Sequence, residues 1–284
     1  MRAELIGEFD TLVLSGGSHN GLILLGGLQY LYDKQLVHNI KTFVGTSIGG
    51  VISYLLIIGY TPVEIMVYIC THNDLIDNMC KINFLNITRG DPIIPFSYIS
   101  NEIEKMTIEK IGTLLTLAEL STRFGKTLIC PTYNITNATV EYLSAETFPA
   151  ISCLTALRMT CNLPFVFDNF KHGESFYIDG ALSNNFAIDI AEKLGNKVGG
   201  LCITYDLSIK SPKTDFLDYM YKLLYIPIQQ AMESRIHNKR DNTAVINITI
   251  ENVDLFTGNL DHKVKFEMFS RGYTCGKEFY EQEL

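Results

Sequence analysis

The chain has 284 residues and a mass of 32.0 kDa, with 47% hydrophobic and 19% charged residues, enough apolar material for one large core and too much for a disordered tail. Lys+Arg 23 against Asp+Glu 31 leave a net charge of −8. That balance argues against a nucleic-acid partner held through phosphates and against strong electrostatic attachment to anionic lipid.

Thr11 to Leu14 is a short apolar strand that runs into Ser15-Gly16-Gly17-Ser18-His19-Asn20-Gly21. A helical pattern follows on Leu24, Leu25, Leu28 and Leu31. The loop is neither G-x-G-x-x-G nor a Walker A sequence. It fits a structural turn, a phosphate cradle, or a set of backbone N–H groups placed to receive an oxyanion. A second strand, Thr42 to Val44, meets Gly45-Thr46-Ser47-Ile48-Gly49 and an apolar helical run to Tyr60. This is the strand, tight turn and helix context of a nucleophile elbow, which lifts the Ser47 hydroxyl to a helix N-terminus where developing negative charge is favoured. Taken alone, G-x-S-x-G fits a glycine-rich loop with an N-capping serine equally well.

Pro62 to Cys70 reads as a helix with proline in its first turn. Arg89 to Phe96, broken by Asp91-Pro92 and Pro95, reads as a loop over the site. Ser97 to Met106 and Leu114 to Phe124 are helices, the second ended by Gly125. Lys126 to Ile135 and Thr139 to Leu143 alternate as strands, and Pro149 to Thr160 returns to helical spacing. Phe176 to Ala181 is a strand ending in Asp179 and Gly180, followed by a polar turn at Ser183 to Asn185 and a helix at Ala187 to Leu194. A carboxylate at that strand end either faces a site or caps a turn. Val198 to Tyr205 is a buried strand. Phe216 to Arg235 is a helix interrupted by Pro227, and its few basic residues favour a core or lid role over contact with lipid. Thr243 to Ile250 is a last strand, and Lys263 to Glu281 a closing amphipathic helix.

Seven cysteines without a C-x-x-C pair read as reduced, mostly buried thiols of an intracellular, cytoplasmic protein. Glu4, Glu8 and Asp10 interrupt any signal-peptide core at the start. The longest apolar run, Val51 to Ile58, falls far short of the roughly 20 residues that span a bilayer. No metal-ligand cluster is visible, and the absence of a linker or repeat leads us to expect one domain over residues 1–284.

Three segments in order resemble the patatin-like phospholipase family. They are LSGGSHNG at Leu14 to Gly21, where the family has Gly-Gly-Gly-x-Arg/Lys-Gly; GTSIGG at Gly45 to Gly50; and YIDGALSNN at Tyr177 to Asn185, where it has Asp-Gly-Gly/Ala. TLAELSTRFGKTLICPTYN, EYLSAETFPA and the Met159 to Phe167 stretch also look like family sequence, so the resemblance covers about Thr11 to Tyr205. It implies a three-layer α/β/α fold with a mostly parallel central sheet, related to the cytosolic phospholipase A2 catalytic fold. It further implies a cofactor-free, metal-independent lipid acyl hydrolase of phospholipase A or esterase type. In that reading Ser47 is the nucleophile, Asp179 the general base, and the N–H groups of Gly16, Gly17 and Ser18 the oxyanion hole. Gly21, Gly45, Gly49, Gly180 and Asn20 support the elbow and loop. The implied substrate is a phospholipid or other acyl lipid at a membrane or micelle surface, with peripheral membrane contact. Three departures stand out: Ser18 replaces the third loop glycine, Asn20 the basic residue, and Phe186 a frequent proline. Three alternatives stay open: a Ser-Asp-His triad completed by His237 or His262, acyl transfer to an alcohol, and a non-catalytic lipid-binding or scaffold protein on the same fold.

Overall fold

The structure, a computed structural model, describes residues 9–72, 94–208, 216–251 and 260–283. It is a mixed α/β fold around an eight-stranded sheet. Strands β1 (Thr11–Leu14), β2 (Thr42–Gly45), β3 (Thr127–Asn134), β7 (Val198–Tyr205) and β8 (Thr243–Ile250) pair in parallel in the order β3-β2-β1-β7-β8. Beyond β3 the sheet turns antiparallel through β4 (Thr139–Leu143), β6 (Ser175–Asp179) and β5 (Phe170–His172).

Strand alternation divides the core into two layers, because successive side chains leave opposite faces of a strand. Leu12 and Leu14 of β1, Leu201 and Ile203 of β7, and Ile246 and Ile248 of β8 enter one cluster. Val13, Cys202 and Val245 enter the other. The larger cluster is covered by α1 (Gly21–Asp33), α2 (Ile48–Ile57), α3 (Pro62–Thr71), α4 (Ser97–Ile111), α5 (Leu117–Phe124) and α6 (Cys153–Thr160). The smaller lies beneath α8 (Ile188–Leu194) and the second half of α9 (Phe216–His237), which supply Ile188, Ala191, Ile228 and Met232. A short helix α7 (Ala181–Asn184) precedes α8, and α10 (His262–Glu283) packs on α1. Among the described residues no single helix is long and apolar enough to cross a membrane.

Capping sets several helix boundaries. Thr61 and Thr116 each form a capping box with the glutamate three residues on, so α5 starts at Leu117 and not at Leu114 as the spacing suggests. Gly125 ends it at φ 61°. Ser152, not Pro149, caps α6, by accepting the Thr155 N–H. The polar stretch at Ser183 to Asn185 is mostly one turn of helix, α7. The expected loop at Arg89 to Phe96 lies largely outside the described residues. α9 keeps Pro227 inside, where no N–H is available for the helical ladder.

The α1–α10 contact is backbone against backbone. A Cβ on Gly26 would strike the Phe269 carbonyl oxygen, and one on Gly272 the Ile23 carbonyl oxygen. Neither obstacle is a flexible side chain, so the helices would have to separate. Gly272→Ala is therefore expected to lower stability by about 1–3 kcal/mol, read as a reduced urea midpoint at unchanged m-value. An unchanged midpoint would show that the interface yields.

Candidate functional site

Two glycine loops leave the C-terminal ends of the adjacent parallel strands β1 and β2, the end at which open α/β sheets present their sites. They touch. A Cβ on Gly16 would lie 3.2 Å from the Ser47 Cβ and 2.5 Å from Asn185 Oδ1, and one on Gly21 2.5 Å from Ile48 Cγ1. A Cβ on Gly49 would lie 2.5 Å from the Leu14 carbonyl oxygen and 2.6 Å from that of Ser15. Gly45 faces the Gly49 carbonyl in the same crowded turn. Ser47, half-buried between β2 and α2, has φ 53° and ψ −126°, a conformation that costs a non-glycine residue about 1–3 kcal/mol.

The strained turn aims Ser47 at β6. Strand β2 runs parallel to β3, its last pair being Val44 with Ile129, while β6 runs antiparallel to it and ends with Asp179 against Thr132. The two C-terminal ends thus face each other along β3. Ser47 Oγ donates a 2.8 Å hydrogen bond to Asp179 Oδ2, with no imidazole between them. The other carboxylate oxygen accepts the Ala181 N–H at 2.7 Å. A Cβ on Gly180 would collide with the Pro131 carbonyl, so the residue after the aspartate must be glycine for β6 to lie this close to β3.

Asp179 is 2% exposed. Burial, which penalises the charged form, raises its pKa from 3.8 to about 7, against the hydrogen bonds from Ala181 and Ser47 that favour the anion. Cys161, packed beside Ser47 and Asp179, has its thiol pushed well above its ordinary range, chiefly by burial. The described cysteines are free thiols, and four of the six are buried.

The first loop offers amides. The Gly16 N–H is already donated to Asn185, at 3.1 Å to Oδ1 and 3.3 Å to the main-chain oxygen. Those of Gly17 and Ser18 donate to no group among the described residues. Ser18 adopts φ 53°, the left-handed conformation that a glycine takes without strain. Asn20 is 6% exposed, and its Nδ2 donates a long 3.4 Å bond to the Tyr205 hydroxyl, itself 3.5 Å from the Gly17 carbonyl. A neutral chain therefore holds the loop at the position of the expected cation. Phe186 is fully buried in the smaller core cluster, against Gly200.

Sequence reasoning missed Asn185 and Thr160. Asn185 Oδ1 takes the Gly16 N–H, and the Thr160 hydroxyl takes the Ser47 N–H at 3.0 Å. Both lie inside stretches already matched to family sequence, and that was the available signal.

A carboxyl with a pKa of about 7 when folded and 3.8 when unfolded binds its proton more tightly in the native state. Its contribution to stability is full below pH 3.8 and lost as pH rises through about 7. In Asp179→Asn the amide oxygen can still accept from Ala181 while the NH2 donates to Ser47, and no buried charge forms. Asp179→Asn is therefore expected to melt above the wild type at pH 8, with a gap that narrows steadily as pH falls below about 7. Circular-dichroism melts across pH test this, and a variant less stable than wild type at pH 8 would count against it.

A family model for patatin-like phospholipase matches residues 12–192. Probable lipid hydrolase 463L of Invertebrate iridescent virus 6 is 37% identical over 195 residues, covering 66% of this chain and 65% of that protein, just under two thirds of its length. Uncharacterized protein R571 of Acanthamoeba polyphaga mimivirus is 26% identical over 289 residues, covering 98% and 94%. The crystal structure of VipD from Legionella pneumophila matches with a TM-score of 0.58 at 16% identity, over 97% of this chain and 67% of that one. The ExoU–SpcU complex of the Pseudomonas aeruginosa type III secretion system matches with a TM-score of 0.51 at 15% identity, over 98% and 52%. At such identities these two structures speak for the fold. The matched family model, joined to the fold, makes this chain a member of the patatin-like phospholipase family.

Proposed function

We propose that the protein is a lipid acyl hydrolase of phospholipase A or esterase type, built as a single domain and working through a Ser47–Asp179 dyad. The observation that carries this reading is the direct 2.8 Å bond from the Ser47 hydroxyl to a buried carboxylate whose pKa is raised to about 7. At that value Asp179 is basic enough to take a proton at neutral pH, which an ordinary carboxylate does poorly. Ser47 Oγ attacks the ester carbonyl carbon as its proton passes to Asp179 Oδ2. The oxyanion is received by the N–H groups of Gly17 and Ser18 and by the N-terminus of α2. Gly16, whose own N–H is bound to Asn185, holds the loop in place. Collapse expels the alcohol, which recovers the proton from Asp179. Water then attacks the acyl-enzyme, gives a proton to Asp179, and Ser47 leaves reprotonated. No step calls for a metal or cofactor.

The first half of α9 supports a lipid surface as the place of action. Tyr219, Leu223, Leu224 and Ile226 are 36–44% exposed. The same helix seats Tyr225 edge-on against Tyr205 at 5.2 Å, and Gln229 accepts the Tyr205 N–H at 2.9 Å. This apolar stripe therefore adjoins the residue that holds the Gly17 loop. With a net charge of −8, the fitting partner is a zwitterionic or neutral lipid surface met by apolar insertion. The cytoplasm is the proposed location.

A fluorophosphonate is expected to label Ser47. Ser47→Ala and Asp179→Asn should each abolish hydrolysis of a short-chain nitrophenyl ester in folded protein, and wild-type kcat/KM should rise with pH through an inflection near 7. Folded but unlabelled wild type would favour a non-catalytic lipid-binding role. Because the chain holds no tryptophan, Leu223→Trp gives a clean reporter. Its emission should shift to the blue on adding phosphatidylcholine vesicles, and an unshifted spectrum would remove the stripe from the lipid contact.

A further inference from the structure

We infer that the end of α6, Arg158 to Asn162, is the positioning element of the dyad, with Thr160 the residue that sets the approach of Ser47 to Asp179. The inference rests on the hydrolase reading of that pair. Ser47 and Asp179 are 132 residues apart in the chain, and their separation is only as well defined as whatever holds both. Thr160 holds one and reaches toward the other. Its hydroxyl accepts the Ser47 N–H at 3.0 Å and donates to the Pro131 carbonyl at 2.6 Å, while its own carbonyl accepts the Gly180 N–H at 3.3 Å. Two residues on, the Asn162 carbonyl accepts the Asp179 N–H at 2.9 Å, and its Nδ2 donates to the Tyr177 carbonyl at 2.6 Å. Main chain on both sides of the carboxylate is thereby tied to the segment that clasps the serine.

The clasp is itself anchored. Arg158 Nη1 donates to Asn162 Oδ1 at 2.7 Å, and Nη2 donates to the Asp168 carbonyl at 2.7 Å and pairs with its Oδ2 at 3.1 Å. The guanidinium lies 4.3 Å from the Phe96 ring centroid. Thr160 is fully buried, and a β-branched side chain whose hydroxyl uses both donor and acceptor has one rotamer available. This matters most at Ser47, whose φ of 53° is unfavourable and which the N–H bond to Thr160 helps to hold.

Thr160→Val keeps the shape but leaves the Ser47 N–H and the Pro131 carbonyl unpaired, freeing the elbow to relax away from Asp179. A misplacement of about 1 Å is worth on the order of 100-fold in rate, so kcat on a soluble nitrophenyl ester should fall about 100-fold with KM little changed. Loss of the Ser47 bond also removes a contact that favours ionised Asp179, so the inflection of kcat/KM should move above its wild-type pH. Thr160→Ser restores the hydroxyl and should recover most of the rate. Wild-type kcat and an unmoved inflection in Thr160→Val, or equal loss in Thr160→Ser, would overturn the inference. A readout needing no variant is amide exchange in the wild type. The Ser47 N–H should exchange as slowly as those of β3, and exchange as fast as that of Gly17 would overturn the clasp. Wild-type protein that a fluorophosphonate fails to label would instead defeat the hydrolase reading, whatever the exchange result.

Discussion

The head-to-head approach of β2 and β6 along β3 is the constraint on which the rest of the structure depends. Placed in line with β2 along β3, a second parallel strand would meet the elbow with its first residue, and an aspartate at its C-terminal end would point away. Because β6 is antiparallel, its last residue is delivered back toward the elbow, three β3 positions beyond the last β2 pair. Pro131 sits between those two points, where a residue without an N–H leaves the β3 ladder one donor short. Its carbonyl is taken by the Thr160 hydroxyl. The sheet changes from parallel to antiparallel at the place where the candidate site forms.

That convergence is costly, and the cost is local. A backbone strained at Ser47, a left-handed serine at position 18 and a carboxyl 2% exposed at the end of β6 lie close together. What offsets them lies elsewhere, in the two alternating core layers and in the close α1–α10 packing. The raised pKa of Asp179 belongs to the same trade: the desolvation that makes it a better base also makes its charged form a burden on the fold.

Much of this was legible in the sequence, for identifiable reasons. The strands that position the loops are β-branched runs bounded by glycine, and all of β7 is buried, as its mostly apolar run from Val198 to Tyr205 implies. Thr42 to Gly49 and Tyr177 to Gly180 disclose their turns because glycine is the residue that permits such close backbone approach. The starts of α5 and α6 were misjudged because apolar spacing runs past the capping residues Thr116 and Ser152. Thr160 and Asn185 were missed for another reason. Their partners stand 113 and 169 residues away, and a threonine or asparagine in isolation carries no mark of which distant amide it will meet. On α9, Tyr225, Ile228 and Met232 are buried as in a core helix, while Leu223, Leu224 and Ile226 beside them in the chain are partly exposed.

The departure at Asn20 follows from the same economy of charge. Its side chain is buried beside the Tyr205 hydroxyl, and that hydroxyl is itself held far from ionisation, its pKa pushed up to about 12 by burial. A cation there would have a neutral partner and little solvent, whereas an amide can donate to the phenol at no electrostatic penalty. What the side chain at position 20 supplies is a neutral donor of the right shape for the Tyr205 hydroxyl. Tyr205 supplies the connection, touching the Gly17 carbonyl at one end and the Tyr225 ring of α9 along its face. The exposed apolar stripe and the glycine loop are therefore neighbours through a single buried tyrosine.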